Sequence, residues 1–148
     1  MINCPDSIKE ISLEGYQVVR GQYFTRKVEP AMTLFASAIS FNGAAFESLN
    51  NCDSVQFLVN DLNKSIIVKP VISKGPDAIN WNKKKNKATR IECTSFTKQL
   101  YEAWGLEADC RYKSIGVLVQ SDKKVMILFN FQKAETWRGS SLVKENGK

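Results

Sequence analysis

The sequence contains no histidine. Imidazole is the side chain whose unperturbed pKa lies nearest neutrality, so the commonest general base and a leading metal ligand are both missing. Cysteine is sparse as well. Cys4, Cys52, Cys93 and Cys110 are far apart and form no CxxC pair, which excludes zinc-finger spacing. Four free thiols and no bound metal are therefore expected, with Cys52, Cys93 and Cys110 serving as small apolar residues. No Gly-x-Ser-x-Gly, P-loop or GxGxxG is present, and no cofactor is implied. Glu47, Asp53 and Asp61 have no partner that would set up acid–base work. The chain does not read as an enzyme. No apolar run approaches the roughly 20 residues that cross a bilayer. Met1–Asp6 lacks the basic and apolar regions of a signal peptide, so a cytoplasmic protein without membrane partners is expected.

What is present fits an ordinary folded chain: 148 residues, 43% apolar and 24% charged, with few glycines and prolines. One domain spanning 1–148 is expected. The net charge of +6 is unevenly placed. Residues 1–74 carry seven Lys/Arg and seven Asp/Glu; residues 75–148 carry fourteen and eight. The second half thus holds the whole excess, which suits an anionic partner such as a polyanion. A lysine-rich solvated surface is the alternative.

The hydrophobic pattern predicts an α+β protein with a mainly antiparallel sheet. Tyr16, Val18, Val19, Tyr23 and Phe24 suggest an early strand. Met32–Phe41 reads as one long central strand, apolar on both faces. Asn42 is a candidate N-cap for a short helix carrying Ala45, Phe46 and Leu49. Val55, Phe57 and Val59, a polar turn at Asp61–Lys64, and Ile66–Lys69 read as a β-hairpin closed by Pro70. A similar order follows: a strand near Ile91, Thr94 or Ser95 as helix cap, and a helix from Phe96 to Trp104. Its apolar stripe is Phe96, Leu100 and Trp104, with Ala103 beside it, and Gly105 stops it. Cys110–Val119 then reads as one strand, turned at Ser121–Lys124 and answered by Val125–Phe131. Trp137 and Arg138 are expected to cover a sheet edge, and the tail from Gly139 to fray. Two related strand–helix–β-hairpin units are therefore expected, at about 32–70 and 89–131, joined by a connector at 71–88.

That connector leads into the most basic segment. Lys83, Lys84, Lys85, Lys87 and Arg90 place five positive charges within eight residues, enough to neutralise several phosphates. Trp81 beside them could stack on a base of a single strand. Arg111 and Lys113 alternate with Tyr112 and would extend the basic face. The alternative is a solvated loop with Trp81 tucked into the core.

The segment Ile39-Ser40-Phe41, the helix ending at Leu49, Asp53-Ser54-Val55-Gln56-Phe57 and Ile66-Ile67-Val68-Lys69-Pro70 resembles the swapped-hairpin units of AbrB-like and MraZ-like transcription regulators. It departs from them at Asn42-Gly43, where those units open the helix with proline. It departs also at Cys52-Asp53-Ser54, where they carry Gly-Asp, and it lacks the Asp-x-x-x-Arg of MraZ-like units. The chain also resembles proteins carried on clostridial phages and conjugative elements. These resemblances imply DNA as partner, a regulator of a mobile element as function, and a homodimer as one arrangement. A non-catalytic protein-interaction or accessory factor using its sheet edges is the competing expectation.

Overall fold

The computed structural model describes residues 10–18, 28–72 and 75–144. Within them lie eleven strands and two helices: β1 (Ala31–Leu34), β2 (Ala38–Phe41), α1 (Gly43–Ser48), β3 (Ser54–Asn60), β4 (Ser65–Pro70), β5 (Ile79–Asn80), β6 (Thr89–Glu92), α2 (Thr94–Trp104), β7 (Cys110–Ile115), β8 (Val117–Ser121), β9 (Lys124–Asn130), β10 (Glu135–Arg138) and β11 (Ser141–Lys144). They form two sheets. Sheet A has the order β11-β10-β7-β1-β2-β6, and sheet B the order β5-β3-β4-β9-β8. Every pairing is antiparallel. The architecture is a small, largely β, α+β fold. No helix among the described residues is long and apolar enough to cross a membrane.

The expected long strand Met32–Phe41 is instead a hairpin. The chain reverses at Phe35–Ser37, where the Phe35 amide donates to the Ala38 carbonyl at 2.8 Å. Met32 then faces Phe41 and Leu34 faces Ile39, and all four are fully or almost fully buried on one side of the sheet. Residues of both apolar stripes, Met32 and Leu34 from one and Ile39 and Phe41 from the other, are thus brought to one face of a folded ribbon. Cys110–Val119 is also broken. At Gly116 the chain leaves sheet A and enters sheet B, and the Gly116 amide donates to the Pro30 carbonyl at 2.8 Å. A Cβ at Gly116 would lie 2.5 Å from Ile127 Cγ2 and 2.7 Å from Phe129 Cε1. Only a bare Cα passes there.

Asn42 caps α1: its side chain accepts from the Ala45 amide at 3.1 Å and from the Ala31 amide at 2.9 Å, and its Nδ2 donates to the Glu29 carbonyl. The helix ends where Asn50 and Asn51 take left-handed backbone at φ 55° and 57°. In α2 the cap is Cys93 rather than Thr94 or Ser95, which lie within the first turn, and Gly105 ends the helix at φ 65°. The buried stripe is Thr97, Leu100, Tyr101 and Trp104, at i, i+3, i+4 and i+7. It is rotated from the expected one, so Ala103 is exposed and Phe96 half-buried. The rotation serves polar needs. The Thr97 hydroxyl donates to the Ala36 carbonyl at 2.8 Å, and the Tyr101 hydroxyl reaches the Cys110 carbonyl at 2.8 Å.

Both sheets and both helices feed one core. Phe41 sits at its centre, with ring centroids of Trp81 at 5.0 Å, Phe57 at 6.0 Å and Phe129 at 6.1 Å. Trp104 on α2 ties the helix to the β3–β4 turn by donating from Nε1 to Asp61 Oδ1 at 2.7 Å. The expected fraying tail is partly structured, since β10 and β11 extend sheet A, with Trp137 and Arg138 in β10. Of the early strand, Tyr16 and Val18 are exposed and outside any strand, and Val19, Tyr23 and Phe24 lie outside the described residues.

Candidate functional site

Alternation along the strands of sheet A sends one set of side chains to the core and the other outward. The outward set is where charge gathers. Across β6, β2, β1, β7 and β10 the register aligns Arg90, Ser40, Thr33, Lys113 and Glu135 in one row. The next row holds Glu92 opposite Ala38 on one side and Arg111 opposite Trp137 on the other, with Phe35 at the turn between them. Arg90 therefore reaches over the Phe35 ring, 4.5 Å from its centroid, and Arg111 over the Trp137 ring at 5.2 Å. Such guanidinium–ring contacts orient the cation, and Arg111 is held further by donating from Nη1 to the Gly139 carbonyl. Arg90 also pairs with Glu92 at 3.0 Å, both well exposed, so that pair neutralises little.

The lysine loop closes over one end of this face. Lys83, Lys84, Lys85 and Lys87 are all exposed. The loop is nevertheless built, not slack. Asn82 is buried at its base; its Nδ2 donates to Asn86 Oδ1 at 2.6 Å and its Oδ1 accepts from the Asn86 amide at 2.6 Å. Lys85 and Asn86 take left-handed backbone at φ 53° and 71° to make this turn. The Asn86 carbonyl passes so close to α1 that a Cβ at Gly43 would meet it at 3.2 Å. As a result Lys84 lines the same open cleft as Arg90 and Lys113, about 400 Å³, together with Thr33, Ser40 and Thr89. A smaller hollow of about 150 Å³ at the other end of the face is lined by Phe35, Arg111 and Trp137 among others.

Of the residues singled out in sequence, Lys84, Arg90 and Lys113 converge on one cleft, and Arg111 lies two residues along β7 from Lys113. Lys83, Lys85 and Lys87 share the loop without lining the cleft. Trp81 does not belong to this surface. It is fully buried, packs edge-on against Phe41 and Phe46, and donates from Nε1 to the Cys52 carbonyl at 2.9 Å. No base can stack on it. The aromatic rings of the face are Phe35 and Trp137, each half-buried and overlain by a guanidinium. The signal that could have found them is the alternation Thr33–Phe35 and Glu135–Trp137, hidden by reading 32–41 as one strand and 137–138 as an edge cover.

Cys52, Cys93 and Cys110 are free thiols, and burial pushes each of them up from the ordinary thiol value, away from the nucleophilic thiolate. Cys4 lies outside the described residues. Glu107, Asp109 and Cys110 cluster within 4.8 Å. Their carboxylates are already engaged by Arg138, whose Nε meets Asp109 Oδ2 at 2.8 Å and whose Nη2 meets Glu107 Oε2. This network ties β10 to the approach of β7.

Comparison of the chain with family models, curated proteins and solved structures finds no match.

Proposed function

We propose that this protein is a non-catalytic nucleic-acid-binding module that engages its ligand on the outer face of sheet A. The observation that carries the reading is the convergence of Lys84, Arg90 and Lys113 on one open cleft, with the Thr33 and Ser40 positions between them. Cations spaced along an exposed sheet face, interleaved with short polar side chains, suit a chain of phosphates. DNA in the setting of a regulator of a mobile element is the form of ligand that the sequence resemblance favours. The cytoplasm is the compartment that goes with it.

We further propose that the units at 32–70 and 89–131 are related. Support comes from like elements pairing with like: β2 with β6, and the hairpin β3–β4 with the hairpin β8–β9 through β4 and β9. The first unit has no counterpart of β7, which runs in sheet A beside β1, and the second has no counterpart of β1.

The test is fluorescence anisotropy with labelled DNA at two salt concentrations. Replacing Lys83, Lys84 and Lys85 together with Ala should weaken binding about equally for all sequences, because phosphate contacts position a protein without specifying bases. Circular dichroism should report an unchanged fold. Binding unaltered in the triple variant refutes the role of the loop.

A second reading, self-association through sheet B, is favoured by a different observation. The register aligns Leu58, Ile67, Leu128 and Val117 in an apolar row on the outer face of that sheet. Val117 and Leu118 on the edge strand β8 are each 56% exposed. Exposed apolar edges are ready templates for another strand. Sedimentation equilibrium of the native chain and of Val117→Lys decides it: a dimer lost in the variant supports the reading, and a monomer at all concentrations rejects it.

A further inference from the structure

We infer that the ligand of sheet A's outer face is a single-stranded nucleic acid whose bases stack on Phe35 and Trp137. This rests on the nucleic-acid reading above and narrows it to one class of strand.

Three observations carry it. First, the two aromatic rings lie on the same face as the cations, each paired with a guanidinium: Arg90 over Phe35 and Arg111 over Trp137. Both rings are half-buried rather than taken into the core. Secondly, Phe35 and Trp137 border one shallow hollow with Arg111, while Lys84, Arg90 and Lys113 border the neighbouring cleft. The face thus offers stacking surfaces and phosphate partners side by side, the combination that binds unpaired strands. Thirdly, its shape is wrong for duplex. A major groove about 12 Å wide admits a helix or a two-stranded ribbon. The cations here stand instead on the broad face of a six-stranded sheet. In a duplex the bases are stacked on one another and cannot reach rings on such a face. In a single strand they splay onto it, as bases do on the sheets of other single-strand binders.

The strand spacing supports the same reading. Neighbouring strands lie about 4.8 Å apart and alternate residues along a strand about 6.8 Å apart. Lys113 and Arg111 are therefore separated by about 7 Å on one strand, and Arg90 stands three strands across from Lys113 at about 14 Å. A flexible backbone can follow these points, whereas a duplex presents its phosphates on a rigid helix.

The experiment uses the full chain with three labelled ligands of equal length: an oligo-dT single strand, the matching single-stranded RNA, and a DNA duplex. Anisotropy titrations at low salt give a Kd for each. The inference expects the single strands to bind at least tenfold more tightly than the duplex. The wild-type comparison alone is decisive, so it does not depend on any variant folding. Phe35→Leu and Trp137→Leu then remove the π-faces while keeping apolar bulk. Each should weaken single-strand binding about tenfold, the order expected for losing one stacked base, and leave the slope of log Kobs against log salt unchanged. Lys113→Ala should reduce that slope instead. Duplex binding as tight as single-strand binding overturns the inference and leaves the nucleic-acid reading standing. Tight single-strand binding indifferent to both leucine variants overturns the role of the rings. No binding to any of the three overturns the inference and the reading together.

Discussion

Gly116→Ala adds a single methyl group where the chain passes from sheet A to sheet B, and it should be among the most costly small substitutions in the molecule. The new Cβ would stand 2.5 Å from Ile127 Cγ2 and 2.7 Å from Phe129 Cε1. Both partners are fully buried, so neither can swing into solvent. The cost is steric. Gly116 is not among the glycines with left-handed backbone, so alanine meets no conformational penalty there. Forcing an extra carbon into a packed core typically costs about 1–3 kcal/mol. In a chain of this length, that corresponds to a fall in Tm of roughly 2–12 °C. Urea denaturation followed by circular dichroism should show a lower midpoint with an unchanged slope. A double-mutant cycle isolates the cause. Ile127→Ala deletes the nearest contacting carbon, so Gly116→Ala should cost clearly less in that background, leaving a coupling of about 0.5–3 kcal/mol. An equal cost in both backgrounds, or a cost below about 0.5 kcal/mol in the native one, would refute the close-packing account of the crossover.

The other expectations concern the core and the loop. Trp81→Ala should destabilise the protein by about 3–5 kcal/mol, and chemical denaturation checks it; a surface tryptophan would cost almost nothing. Burial holds the Tyr101 phenol well above its ordinary value. That contribution to stability is fully present below the unfolded phenol pKa of about 10 and is lost as pH rises beyond it. Melts from pH 8 to 11 should decline at the alkaline end, with a shallower decline in Tyr101→Phe. Asn82→Ala removes the clip to Asn86 and should cost about 1–2 kcal/mol. Amide exchange should also speed up across Lys83–Lys87 while the amides of β4 and β9 stay protected.

The elements with strong local signals were legible in the sequence. Asn42 as a cap, Gly105 as a stop, and the β3–β4 hairpin around Asp61–Lys64 all follow from side-chain chemistry acting over a few residues. What could not be read was decided at long range. Met32–Phe41 has an alternating apolar pattern that suits one strand or two. The reversal at Phe35–Ser37 contains neither proline nor glycine to announce it, and only the pairing of β1 with β7 and of β2 with β6 selects the hairpin. Gly116 looks like a weak spot in a strand; its role appears only when Ile127 and Phe129 arrive from β9. The same limit applies to the candidate site. The cations were visible as a charge run and an alternation, but their convergence depends on the order of strands in sheet A. Trp81 adjoins lysines in sequence and the aromatic core in space. Phe35 and Trp137, distant in sequence, come to the same face because β7 lies between β1 and β10.

The central claim is that the cations on sheet A's outer face hold a nucleic-acid backbone. The most direct measurement is the salt dependence of single-strand binding for the native chain, Lys84→Ala and Lys113→Ala. If Lys84, Arg90 and Lys113 each neutralise one phosphate, log Kobs should fall against log salt with a slope of about −2, and each alanine should reduce its magnitude by about 0.7. No binding at low salt, or a slope identical in all three proteins, would contradict the account.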